Sequence, residues 1–178
     1  MTLQEIRELA EQHARTYNPG NLVPFPHDNV VAANDDLEIL FADLEDSNIS
    51  GAILYKNNTY SIIVNNTKPR TRQHFTIGHE LGHYFLHKDV LQKRKDEGIV
   101  DGDSWLDGGS NMLFRQDGVD ETQLEKEANN FAASLIMPEA QVRKAWKALE
   151  SIQACARVFK VSVVAMSIRL TQQGIIKD

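Results

Sequence analysis

The sequence predicts an α+β fold: a small antiparallel sheet packed on one long helix, followed by a helical C-terminal part. Three observations predict it. Ala52-Ile53-Leu54-Tyr55 and Tyr60-Ser61-Ile62-Ile63-Val64 are runs of β-branched and aromatic residues on either side of Lys56-Asn57-Asn58, which reads as a turn. Two later stretches, about 71–88 and 121–137, carry apolar residues at helical spacing. Beyond Pro138 the chain has helical periodicity only.

Residues 2 to 17 form the first expected helix, with Ile6, Leu9, His13 and Tyr17 near one face, and Asn18-Pro19-Gly20 ends it. Pro24-Phe25-Pro26-His27 continues as extended loop; His13 and His27 read as partly buried structural residues, since no further metal-binding side chains cluster near them. Leu37 to Leu44 alternates weakly and is a strand candidate. Asn65-Asn66-Thr67-Lys68-Pro69 leads into a helix from about Thr71 to Lys88. From Lys93 to Gly118 the chain is rich in Asp and Gly, with turns at Gly108-Gly109 and Asp117-Gly118 and a short strand candidate at Met112-Leu113-Phe114-Arg115. Trp105 reads as pinning this loop to the core. Asp120 can cap the next helix, which runs to about Met137 with Leu124, Ala128, Phe131, Ala132 and Leu135 on its apolar face. Pro138 suits the first position of another helix, with Val142, Ala145, Trp146 and Leu149 inward, and the final helical stretch from Ser151 closes at Gly174. One domain over 1–178 is expected, its core about 37–140 and a helical extension about 141–178.

Composition excludes several function classes. A net charge of −6 argues against a surface that coats nucleic acid. No apolar run is long enough to span a membrane, and the amphipathic, acidic start of the chain does not read as a signal region. Cys155 is the single cysteine, so neither a disulfide framework nor a thiolate metal site is expected. Cytoplasmic residence is the expectation.

The chemistry concentrates in Phe75-Thr76-Ile77-Gly78-His79-Glu80-Leu81-Gly82-His83-Tyr84-Phe85-Leu86-His87, which contains His-Glu-x-x-His. A spacing of four returns to one helix face, so His79 and His83 can reach one cation. Neutral imidazole suits Zn²⁺, and two such ligands leave room for a third and for a water. Glu80 lies one residue on, near enough to hold that water without being a ligand itself. Ile77, Leu81, Tyr84 and Phe85 give the helix a core-facing stripe. Gly78 and Gly82 each cost roughly 1 kcal/mol against alanine inside a helix, so something is expected to approach the backbone closely there. A catalytic zinc needs a third protein ligand, and the later helix offers Glu121, Glu125 and Glu127. Glu125 and Asn129 share a face one turn apart, whereas Glu127 lies about 200° round the axis from Glu125. Glu125 is therefore the expected third ligand and Asn129 a supporting or substrate contact.

The stretch Arg72 to His87, together with Glu125-Lys126-Glu127-Ala128-Asn129-Asn130-Phe131-Ala132-Ala133-Ser134-Leu135-Ile136-Met137-Pro138, closely resembles the two signatures of the ImmA/IrrE family of metallopeptidases. The resemblance covers roughly residues 50 to 140 and extends faintly into Val158 to Leu170. It implies a thermolysin-like minimal core, with His79, His83 and Glu125 as zinc ligands and Glu80 as general base. It also implies a zinc-dependent endopeptidase whose protein substrate is a helix-turn-helix transcriptional repressor. His74 departs from the arginine expected there. For the oxyanion, His87, Tyr60 and Arg72 are candidates. An alternative reading makes Leu149 to Leu170 a helix-turn-helix with Ser167 and Arg169 on its recognition helix, and the protein a DNA-binding or repressor-sequestering regulator with a non-catalytic zinc site. The scarcity of basic residues there makes direct nucleic-acid binding the weaker expectation.

Overall fold

The computed structural model describes residues 1–94, 99–102 and 121–177. Trp105, the turns at Gly108-Gly109 and Asp117-Gly118, the strand candidate Met112 to Arg115 and the cap at Asp120 lie outside the described residues. Helix α1 (Leu3–Tyr17) begins at a capping box: Thr2 Oγ1 accepts from the Glu5 amide at 3.2 Å, and the Glu5 carboxylate accepts from the Thr2 amide at 2.7 Å. It buries Ile6, Ala10 and Ala14. His13 stacks on Phe85 with ring centroids 4.0 Å apart, a packing role as expected.

The sheet comprises β1 (Leu37–Ala42), β2 (Ile49–Lys56), β3 (Thr59–Asn65) and β4 (Ile99–Gly102), in the order β1-β3-β2-β4. Strands β2 and β3 form the expected hairpin. Lys56 pairs with Thr59, and the two turn residues Asn57 and Asn58 both take positive φ, at 52° and 63°. Asparagine tolerates that region better than most residues, which suits a tight two-residue turn. The antiparallel expectation fails for β1, which runs parallel to β3 with Leu37 opposite Tyr60, so the sheet is mixed. Strand direction here follows from β3 inserting between β1 and β2, a long-range pairing that the alternation within 37–42 does not encode. Strand β4, antiparallel to β2, was also not expected; four residues ending in Asp-Gly are too short to show a period.

The long helix α3 (Arg70–Leu86) starts one residue earlier and ends two earlier than expected. It lies between the sheet and helix α5 (Glu121–Ile136), and its buried residues include Gln73, Thr76 and an unbroken run from Ile77 to Tyr84. Burial on both sides explains the glycines. A Cβ on Gly82 would lie 2.9 Å from the Ala128 Cα, and one on Gly78 would lie 3.0 Å from Ile136 Cγ2. Across the helix, a Cβ on Gly51 of β2 would lie 2.4 Å from Thr76 Cγ2 and 3.4 Å from Glu80 Oε1. Glycine at these points lets α3 sit close to both neighbours.

Short helices α2 (Asp28–Ala32) and α4 (Lys88–Lys93) flank this core, and α6 (Glu139–Leu149), α7 (Ile152–Phe159) and α8 (Val163–Gln172) complete the helical C-terminal part. Pro138 precedes α6 as its cap rather than occupying its first turn. Gly174, at φ +63°, follows α8 as expected. Arg169 does not face solvent as a recognition-helix residue would. It is 4% exposed, its Nε donates to the Met137 carbonyl at 2.9 Å, and its guanidinium lies 3.5 Å from the Glu11 carboxylate.

Candidate metal centre

The structure brings His79, His83 and Glu125 together from two helices, and among the described residues they form the group able to hold a metal ion. His79 Nε2 and His83 Nε2 are 3.0 Å apart. Glu125 places Oε2 3.0 Å from His79 Nε2 and Oε1 3.3 Å from His83 Nε2. All three residues are buried. The antiparallel passage of α5 across α3, set by the Gly82–Ala128 contact, carries Glu125 to this point.

Protons can be assigned from the outer hydrogen bonds. Asn129 Oδ1 lies 3.0 Å from His79 Nδ1, so that nitrogen donates and Nε2 keeps its lone pair. On the other side, Glu127 Oε2 lies 3.0 Å from His87 Nε2, and His87 Nδ1 lies 2.9 Å from His83 Nδ1. A carboxylate only accepts, so His87 Nε2 donates to it. Burial lowers the pKa of His87 against the opposing pull of Glu127, so its ring is neutral and its Nδ1 accepts from His83 Nδ1. His83 Nε2 then also carries a lone pair. Burial pushes His83 down to about 4, outweighing Glu125, which favours the charged ring.

Two imidazole lone pairs and a carboxylate thus converge with no hydrogen between the rings, an arrangement that repels itself unless a cation lies among the three. Ligands at 2.0–2.1 Å from a tetrahedral zinc stand about 3.3–3.4 Å apart; the observed separations of 3.0, 3.0 and 3.3 Å are close to that. The donor set fits a divalent metal of zinc's kind.

Glu80 is fully buried next to His79, on the side of α3 that meets β2 at Gly51. Asn129 is the support for His79 that its face predicted. Glu127 corrects the angular argument that pointed it elsewhere. His87 lies just past the end of α3, and the long Glu127 side chain spans the offset. A second His/Glu pair, each member just beyond a proposed ligand in sequence, was the available signal. Of the oxyanion candidates, Tyr60 is buried against Tyr84 and accepts from Gln92 at 2.8 Å, while His87 is engaged by His83 and Glu127. Arg72 donates from Nε to Ser50 Oγ at 2.9 Å and lines a cavity beside Asn129. His74 is remote from the ligands in its bonding: its Nδ1 lies 3.0 Å from Nε2 of the buried His27, and its own ring is half-buried.

A family model described as Peptidase_M78, IrrE N-terminal-like domain, matches residues 32–171. No curated protein matches the chain in sequence. Among solved structures, a Mycobacterium tuberculosis transcriptional regulator is similar, with a TM-score of 0.58 and 15% identity over 96% of this chain. The present chain spans about half of that protein, 52% of its length, and the likeness is one of fold. No helix among the described residues is long and apolar enough to cross a membrane.

Proposed function

The chain belongs to the Peptidase_M78 family, which supports a metallopeptidase-type or IrrE-like regulatory protein, and from that premise we propose that it is a zinc-dependent endopeptidase. The observation that carries this reading is the convergence of His79 Nε2, His83 Nε2 and the Glu125 carboxylate within 3.3 Å of one another, while Asn129 and His87 engage the outer nitrogen of each ring. These three residues would hold the ion. Zinc bound there would supply Lewis acidity, polarising a peptide carbonyl and lowering the pKa of a water towards ~7.

The chain's own residues do the rest. Glu80 takes the proton from the attacking water on a carboxylate oxygen and delivers it to the leaving amine. Burial of Glu80 keeps bulk water from competing for that proton. Asn129 and His87 fix the tautomers of the ligand rings, so that neither imidazole has to reorient during the reaction. The substrate is a protein, and the family resemblance favours a helix-turn-helix repressor within the cytoplasm. Burial of Arg169 and the exposed apolar Val164 and Ile168 on α8 disfavour the DNA-binding alternative.

Elemental analysis of the purified protein and of His83→Ala tests the premise: about one zinc per chain is expected in the parent and a large loss in the variant. Glu80→Gln separates chemistry from binding. It should retain zinc and fail to cut a helix-turn-helix partner that the parent cleaves; cleavage at the parental rate would remove Glu80 as the base.

A further inference from the structure

Beyond the metal ligands, the facing sides of α3 and α5 continue into a cavity of about 250 Å³ that α8 closes from below. Phe75 lies one helical turn before His79. Asn129 and Ala133 lie one and two turns after Glu125. Because the helices are antiparallel, with Gly82 against Ala128 and Gly78 against Ala132, both rows lead away from the ligands in the same direction. Asn129 belongs to both places: its Oδ1 bonds His79, and its side chain forms part of the cavity wall.

We propose that this cavity binds an apolar side chain of the polypeptide substrate, leucine-sized or aromatic, adjoining the bond to be cut. The inference rests on the endopeptidase reading and deepens it by naming a substrate class. The wall is formed by Phe75, Ala133, Met137 and Ile168, with Arg72 at one side. Arg169, the other cation of the lining, is occupied by the Met137 carbonyl and Glu11, so it does not recruit an acidic side chain. Continuity with the ligand faces places an occupant beside the scissile bond, and the volume takes one large side chain rather than a longer segment. Ile168, half exposed at 51%, gains cover when the cavity is filled.

Hydroxamates bound to the zinc-loaded protein provide the test, read by calorimetry rather than by turnover. Acetohydroxamate probes the metal centre alone; N-acetyl-leucine hydroxamate and N-acetyl-aspartate hydroxamate add one side chain. The leucine compound should bind about tenfold or more tighter than acetohydroxamate, from burial of its side chain, and the aspartate compound should gain nothing. Ala133→Leu, which fills the cavity, should abolish the leucine advantage while acetohydroxamate binds as before. Ile168→Asp, at a half-exposed site that tolerates charge, gives a second measure should Ala133→Leu fold poorly, and should also remove the advantage. Equal affinity for all three compounds, preference for aspartate, or a leucine advantage untouched by both variants overturns the cavity proposal and leaves the metal centre standing. Failure of acetohydroxamate to bind a zinc-loaded parent instead overturns the metal-centre reading, and the cavity proposal with it.

Discussion

Replacing Gly82 with alanine probes the contact that places Glu125 opposite the histidines. The added Cβ would stand 2.9 Å from the Ala128 Cα, 3.0 Å from its carbonyl oxygen and 3.3 Å from its Cβ. The closest two are backbone atoms, so relief requires α5 to retreat by about half an ångström. Overpacking of this kind costs about 1–3 kcal/mol, and the better helix propensity of alanine returns about 1. A net loss of up to about 2 kcal/mol is expected, or up to roughly 8 °C in melting temperature for a chain of this size. Gly78→Ala is the control. It gains the same propensity, but its nearest atom is the side-chain methyl Ile136 Cγ2 at 3.0 Å, so it should be the more stable variant by about 1 kcal/mol. Ala128 sits one turn from Glu125, so the retreat also opens the 3.3 Å gap between Glu125 Oε1 and His83 Nε2, and zinc affinity should fall about tenfold. Thermal unfolding of the metal-free variants and chelator competition of the zinc-loaded ones measure the two effects. A Gly82→Ala protein as stable as Gly78→Ala, with parental zinc affinity, would refute the reasoning.

Glu127→Gln and His87→Ala should each weaken zinc binding by about 10–100-fold while leaving the unfolding transition of the metal-free protein within a kcal/mol or two, because they release the tautomer of His83 rather than a ligand; competition with a chromophoric chelator measures this. The His27–His74 pair, with His27 buried and His74 half-buried, gives a pH dependence. Burial, helped by the Lys160 charge, pushes His74 down to about 4, so the unfolded chain binds its proton at a higher pH than the folded one. The stability that neutral His74 contributes is complete above the unfolded value near 6.5 and is lost as pH falls towards 4. Urea midpoints of the metal-free protein between pH 4.5 and 6.5 should therefore depend on pH less steeply in His74→Leu, by up to about 1.4 kcal/mol per pH unit; an unchanged slope would show that His74 titrates alike in both states.

Most of the proposed site was legible because it depends on local periodicity. His79 and His83 follow from one helical face with Glu80 as the next residue, and Glu125 with Asn129 from a face of another helix, so the helix repeat supplied the geometry before any fold was known. What was not legible depends on contacts between distant segments. The parallel pairing of β1 with β3, the short β4, and the reach of Glu127 to His87 each require knowing which segment lies opposite which. Arg169 shows the same limit. A basic residue on a late helix reads as exposed from composition, yet the Met137 carbonyl and Glu11 hold it inside.

The glycines connect the two levels. Gly78 and Gly82 were readable as a cost in helix stability without a stated beneficiary, and the structure supplies it in the close approach of α5. Gly51 does the same from the sheet, bringing β2 against Thr76 and Glu80. Side chains two or three bonds long can converge to within about 3 Å only if the helices carrying them are held closely and rigidly. Backbone contact sets that spacing more firmly than interlocking side chains, since it leaves no rotamer to adjust. The sequence thus gives up helix propensity at Gly78 and Gly82 of α3, and a side chain at Gly51 of β2, to fix the distance between imidazole and carboxylate, and the strength of metal binding should follow that distance.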